Sequence, residues 1–148
     1  MVWRESWAWS DKEEKLYAKL LEGYHPVLHL FSGKSTLGDV RVDKESFPQV
    51  THRLKIKPSL EFRLPFKDLE FDATIFDPPW VNQYFIWASH EVPRVTRRRI
   101  VAITGMWWWE PAKPHLNSWR LSKIYVVKRV SPVCKLVFVW DRISKVIG

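Results

Sequence analysis

The residues best equipped for chemistry stand in a row, Asp77, Pro78, Pro79 and Trp80, at the end of the apolar run Phe71-Asp72-Ala73-Thr74-Ile75-Phe76. Proline has no N–H donor and a fixed φ, so two in succession cannot extend a sheet ladder and must lead the chain out of it in a set direction. That leaves the Asp77 carboxylate and the Pro78 carbonyl as acceptors at a strand end. An exocyclic amine on a planar base has two N–H donors to satisfy, and Trp80 offers a ring face for stacking. The four residues therefore suit chemistry on an aminopurine or aminopyrimidine.

The elements that must position them can be read in outline. Ser10-Asp11-Lys12-Glu13 is a capping box, and Leu16, Tyr17, Leu20 and Leu21 repeat at helical spacing until Gly23 stops the helix. Val27 to Phe31 reads as a buried strand and Val40 to Val42 as a second. A short third is expected at Leu54 to Ile56 or Leu60 to Phe62, and a fourth at Thr74 to Phe76. After Trp80, Gln83 to Trp87 starts a helix that continues towards Arg97, tolerating or kinking at Pro93. Arg99 to Thr104 reads as the next strand, and Ile124 to Lys128 with Cys134 to Trp140 as a closing antiparallel hairpin. Neither internal repeats nor low-complexity linkers interrupt residues 1–148, which read as one domain.

Asp77-Pro78-Pro79-Trp80 resembles the D-P-P-[YFW] signature of S-adenosylmethionine-dependent amino-methyltransferases, which methylate the exocyclic nitrogen of adenine, or less often cytosine, in DNA or RNA. The context extends the likeness. Phe71-Asp72-Ala73 opens the strand as the family's F-D-x does, Leu64-Pro65-Phe66 stands where members carry L-P-F, and Val27-Leu28-His29-Leu30-Phe31-Ser32-Gly33 is similar to the first strand and cofactor turn, V-L-D-L-F-x-G. The resemblance implies an α/β, Rossmann-like methyltransferase fold with a mostly parallel sheet. It also implies S-adenosylmethionine as cofactor, bound by Phe31, Ser32, Gly33, Asp43, Glu61 and Leu64. Asp43 would hold the ribose hydroxyls, and Glu61 would accept from the adenine amine.

The cofactor half departs from the family pattern. Only Lys34 to Asp39 lies between the turn and the second strand, too few residues for the usual crossover helix, since parallel strands normally need a dozen or more connecting residues. The first crossover helix is therefore expected to be missing. His29 stands where many relatives have Asp.

Charge is unevenly placed along the chain. Residues 94–148 carry twelve Lys and Arg against Glu110 and Asp141, net +10, which leaves −2 for residues 1–93 of a chain with net charge +8. Arg94, Arg97, Arg98 and Arg99 cluster at its start and are candidate phosphate contacts, with salt-sensitive, sequence-independent binding as the expectation; the bland alternative is a solvated face. In Trp107-Trp108-Trp109, side chains alternate faces if the run is a strand, so Trp108 is a candidate base-stacking platform, or else the run is packing at a strand end.

Composition narrows the setting. Of 148 residues, 46% are hydrophobic, enough for one sizeable core. Cys134 is the only cysteine, which leaves no disulfide framework or thiolate metal site and suits a reducing cytoplasm. The five histidines show no paired metal-ligand spacing, so no metal is expected. No stretch is long and apolar enough to suggest a signal peptide or a membrane span. Scarce Asn and Gln beside abundant Lys, Arg and Pro lean towards a heat-loving source. Gly33-Lys34-Ser35-Thr36 imitates a nucleotide-binding P-loop, but that motif needs Gly where Leu28 stands.

The expected function is methyl transfer to a nucleobase amine, most readily adenine, with Asp77, Pro78, Pro79 and Trp80 as the catalytic set. With no target-recognition domain visible, sequence specificity would need a homodimer or a heteromeric partner. The alternative is a catalytically silent relative acting as a nucleic-acid-binding module or heterodimer partner. A small-molecule methyltransferase would have no use for a basic half.

Overall fold

The computed structural model describes residues 9–105, 118–128 and 134–143. Helix α1 (Asp11–Leu21) is followed by strands β1 (Val27–Leu30), β2 (Val40–Asp43), β3 (His52–Arg53) and β4 (Phe71–Phe76). Helix α2 (Asn82–Val95) and strands β5 (Thr96–Gly105), β6 (Trp119–Lys128) and β7 (Cys134–Arg142) complete it. The strands form one seven-stranded sheet in the order β3-β2-β1-β4-β5-β7-β6. β1 to β5 are mutually parallel, and β7 runs antiparallel to both β5 and β6. The mostly parallel sheet with its closing antiparallel pair is the expected architecture.

Each helix covers one face. In α1 the capping box forms as read: Ser10 Oγ accepts from the Glu13 N–H at 3.2 Å, and Glu13 Oε1 accepts from the Ser10 N–H at 3.3 Å. Tyr17, Leu20 and Leu21 then pack on Val27, Ala73, Ile75, Val101, Ile103, Val137 and Val139. On the other face α2 buries Phe85, Trp87, Ala88 and Val92 against Leu28, Leu30, Ile100, Ala102 and Phe138. β4 is buried at all six positions, as a strand covered on both faces must be. α2 runs through Pro93 in its last turn and passes directly into β5.

The first crossover helix is absent. Nine residues, Phe31 to Asp39, join β1 to β2, turning at Phe31 (φ 59°), Gly33 (φ 54°) and Gly38 (φ 96°). Gly38 lies so close to β1 that a Cβ there would stand 3.1 Å from His29 Cβ. Right-handed crossovers leading in opposite directions along a sheet fall on opposite faces, so the missing helix would lie on the α1 face. There Trp9 stacks on His29, with ring centroids 4.9 Å apart, and Leu37 packs against the same cluster.

The third strand differs from expectation. It is the exposed pair His52–Arg53, aligned with Val42 and Asp43, and neither Leu54 to Ile56 nor Leu60 to Phe62. The Leu54 N–H still donates to the Asp43 carbonyl at 2.9 Å just past the strand, and Ile56, buried, and Leu54, partly buried, pack on the α2-side core, so the apolar signal marks packing at the strand's end rather than the strand itself. Among the described residues no helix is long and apolar enough to cross a membrane.

Candidate active site at the carboxyl ends of β1, β2 and β4

The order β2-β1-β4 places the ends of three adjacent strands side by side, and the turn residues that follow them converge there. After β1, the Ser32 N–H donates to the Val42 carbonyl at 3.0 Å and the Gly33 N–H to Asp43 Oδ2 at 2.8 Å, while Asp43 Oδ1 accepts from the Glu45 N–H at 2.9 Å. Asp43 thus ties the two turns together. A Cβ on Gly33 would meet nothing within 4 Å, so this turn faces open space. Ser32 is buried, and its Oγ has no hydrogen-bond partner among the described residues. Phe31 sets its ring edge-on against Tyr84 of α2, with centroids 5.6 Å apart.

At the end of β4 the two prolines carry the chain out of the sheet as expected. Pro78 is buried and Pro79 exposed, and the Val81 N–H donates to the Pro79 carbonyl at 2.7 Å before α2 begins. Trp80 is half-buried and packs on the α2-side core, lying over Gly105 at the end of the neighbouring β5.

Asp77 turns towards the α1 face. Its Oδ2 accepts from Trp9 Nε1 at 2.9 Å and lies 3.7 Å from Lys135 Nζ of β7. Lys135 Nζ also donates to Glu13 Oε2 at 3.0 Å, and the Tyr17 hydroxyl donates to the same oxygen at 3.1 Å. Burial pushes the Asp77 carboxyl above its ordinary pKa, nearby Lys135 and the Trp9 N–H pull it down, and Glu13 pushes it up again. The side chain keeps 17% of its surface in solvent.

His29 is fully buried under Trp9, with Nδ1 2.9 Å from the Leu37 carbonyl. Burial holds its pKa down to about 4, so the ring is neutral at pH 7, and the carbonyl assigns the proton to Nδ1. Nε2 then carries a lone pair with no partner among the described residues.

The remaining candidates have other partners. Leu64 is buried, its N–H on Glu91 Oε2 at 2.6 Å and its carbonyl accepting from Arg94 Nη2 at 3.1 Å, so the Leu64-Pro65-Phe66 segment is fastened to α2. Glu61 is exposed in the turn closed by the Phe62 N–H on the Ser59 carbonyl. Arg94 pairs with Glu91 and Asp68 at 2.7 and 2.9 Å. Arg97, Arg98 and Arg99 lie near the amino end of β5, at the opposite end of the parallel strands from Asp77. Arg98 grips Asp72 with bonds of 2.7 and 2.6 Å, Arg97 Nε stands 3.7 Å from the same carboxylate, and Arg99 is bidentate to Asp141. Three of these acids, Asp68, Asp72 and Glu91, come from the acidic half, so this arginine cluster is paired with that half rather than set apart from it. Trp108, with Trp107, Trp109, Lys113 and Arg129, lies outside the described residues. Among those described, no cluster of His, Cys, Asp and Glu could hold a metal ion.

Reasoning from sequence missed Trp9, Glu13, Tyr17 and Lys135, which surround Asp77, and Gly105, which underlies Trp80. Glu13 was visible only as a capping residue and Lys135 only as one of many basic residues. Gly105, closing a strand whose second half is mostly β-branched (Ile100, Val101, Ile103, Thr104), was the one readable sign.

No protein-family model matches the sequence, and no curated protein sequence matches it either. Among solved structures the chain is similar to TrmN from Thermus thermophilus, with a TM-score of 0.57 and 14% identity over 88% of this chain and 48% of that one. It thus spans about half the length of the TrmN chain. A weaker likeness, TM-score 0.42 at 12% identity, covers 92% of this chain and 94% of the 16S rRNA (adenine(1408)-N(1))-methyltransferase W203A mutant from Catenulisporales acidiphilia. The sheet order, the antiparallel β7 and the likeness to TrmN together show that this chain has the Rossmann-like methyltransferase fold.

Proposed function

We propose that the chain is an S-adenosylmethionine-dependent methyltransferase acting on an exocyclic amino group of a nucleobase, most readily adenine, in a nucleic acid. The observation that carries this reading is the convergence of Asp77-Pro78-Pro79-Trp80 at the end of β4 with the Ser32-Gly33 turn and Asp43 at the ends of β1 and β2. An open turn, an unpartnered buried hydroxyl and a carboxylate at the next strand end are a donor and acceptor set that fits the hydroxyls and charged groups of a nucleoside cofactor. Phe31, Ser32, Gly33 and Asp43 would hold it, and S-adenosylmethionine, when bound, supplies an electrophilic methyl group.

The chain's own residues do the rest by position and electrostatics. The amine of adenine is a poor nucleophile because its lone pair is delocalised into the ring. Acceptors at Asp77 and the Pro78 carbonyl favour a pyramidal nitrogen and so localise that lone pair, while Trp80 stacks on the base and fixes its plane. A base in a duplex would have to flip out to reach them.

The second reading, a catalytically silent nucleic-acid-binding module, draws on the nine-residue turn that replaces the crossover helix. Calorimetric titration with S-adenosylmethionine separates the two. Under the enzyme reading the protein binds, and Asp43→Ala weakens binding by about 1–3 kcal/mol through lost hydrogen bonds. Absence of binding by the native chain favours the silent module, and unchanged affinity in Asp43→Ala removes Asp43 from the site.

A further inference from the structure

The wall beneath Asp77 is both charged and dry. Glu13 and Lys135 are 2% and 4% exposed, and they come from α1 and β7, 122 residues apart in sequence. Val137 and Val139 continue the same face of β7 as ordinary core residues, so packing alone does not call for a lysine there. An ion pair withdrawn from water carries a desolvation penalty of several kcal/mol per ion, which makes such a pair weak evidence for a purely stabilising role. Its geometry has a direction: the ammonium bonded to Glu13 stands 3.7 Å from the oxygen of Asp77 that accepts from Trp9.

The groups facing Asp77 come from four places among the described residues. α1 contributes Glu13 and, behind it, the Tyr17 hydroxyl. β7 contributes Lys135, the segment before α1 contributes the Trp9 N–H, and β1 contributes the neutral His29 under the Trp9 ring. Tyr125 of β6 packs on the same cluster.

We propose that Lys135, anchored by Glu13, is a positioning residue that keeps Asp77 ionised and oriented as an acceptor for the substrate amine. This rests on the reading of Asp77 given above. A protonated carboxyl commits one oxygen to an O–H and accepts more weakly, whereas the ionised form accepts from Trp9 and from substrate through two charged oxygens. The ammonium supplies the charge that holds this form in place. Glu13 fixes the ammonium and at the same time opposes its effect, so the two residues act on Asp77 with opposite sign.

That opposition is testable with two near-isosteric variants. Carboxyl carbon NMR of aspartate-labelled protein, with the Asp77 signal identified by its loss in Asp77→Asn, follows the titration in the native chain, Lys135→Met and Glu13→Gln, each checked by a melting curve. Removing the cation should raise the Asp77 midpoint by about 1–3 pH units, and Glu13→Gln should lower it. The acidic limb of the methyl-transfer rate should move in the same two directions, with activity of Lys135→Met recovering as pH rises. Midpoints that stay put, or that move the same way in both variants, overturn the proposal. A native chain that transfers no methyl group while its midpoints move oppositely leaves the role of Lys135 standing and rejects the enzyme reading.

Discussion

Gly105 lies beneath the Trp80 indole so closely that a Cβ on it would stand 2.9 Å from Trp80 Cε3 and 3.0 Å from Cζ3. The ring is rigid and packs on the α2-side core, so Gly105→Ala must displace it. The expected outcome is a raised KM for the nucleic-acid substrate, up to the about 1–3 kcal/mol that one stacked base is worth, with S-adenosylmethionine affinity unchanged. An unaltered KM would separate Trp80 from the substrate.

Burial of His29 has a consequence for acid stability. Its folded pKa of about 4 lies below the ordinary 6.5, so as pH falls between those values the unfolded chain takes up a proton that the folded chain refuses. The stability tied to the neutral ring is fully present above pH 6.5 and drains away towards pH 4, by about 3 kcal/mol at most. In His29→Gln this component is missing. Urea melts at pH 7 and pH 4 should therefore show the variant closing the gap to the native chain on acidification; a constant gap would mean that the ring titrates normally in the fold.

The arginine cluster predicts a stability effect rather than a catalytic one. Asp72 receives both Arg98 bonds, stands 3.7 Å from Arg97, and accepts the His25 N–H at 3.1 Å. The Arg98 guanidinium holds its carboxyl below the usual range, so the stability it contributes is present above that range and lost as pH falls through the lowered pKa. Asp72→Ala should destabilise the protein by about 1–3 kcal/mol, nearer the lower figure because Arg98 is 56% exposed, while leaving cofactor affinity intact. Arg97 and Arg98 remain accessible enough to test: if they touch phosphate, replacing both by Ala reduces the salt slope of nucleic-acid binding by about one unit per contact; if they only brace the sheet end, the melting temperature falls and the slope stays.

Much of this was legible because it is local. Val27 to Gly33 announces a buried strand and a turn, Val40 to Asp43 a second strand with its terminal acid, and the interval between them is too short for a helix; each statement needs only neighbouring residues. The hairpin of β6 and β7 is likewise local. β3 was misplaced because a two-residue exposed edge strand is defined by its pairing with Val42 and Asp43, which leaves no hydrophobic trace, whereas Leu54 and Ile56 leave one by packing into the core just beyond it. The surroundings of Asp77 were illegible for a different reason. Trp9 and Lys135 reach it across 68 and 58 residues, and in sequence a buried lysine looks like any other member of a basic half.

If Asp77 accepts from the amine more strongly as methyl transfer proceeds, its removal is felt in the rate and not in cofactor binding. The most direct measurement is transfer of labelled methyl from S-adenosylmethionine to adenine-containing single- and double-stranded DNA and RNA by native protein and Asp77→Ala, with cofactor affinity and a melting curve recorded on the same samples. Asp77→Ala is expected to bind the cofactor nearly as the native chain does, to melt as a folded protein, and to lose about 100-fold or more in rate. A folded Asp77→Ala protein that methylates at the native rate contradicts this role of Asp77.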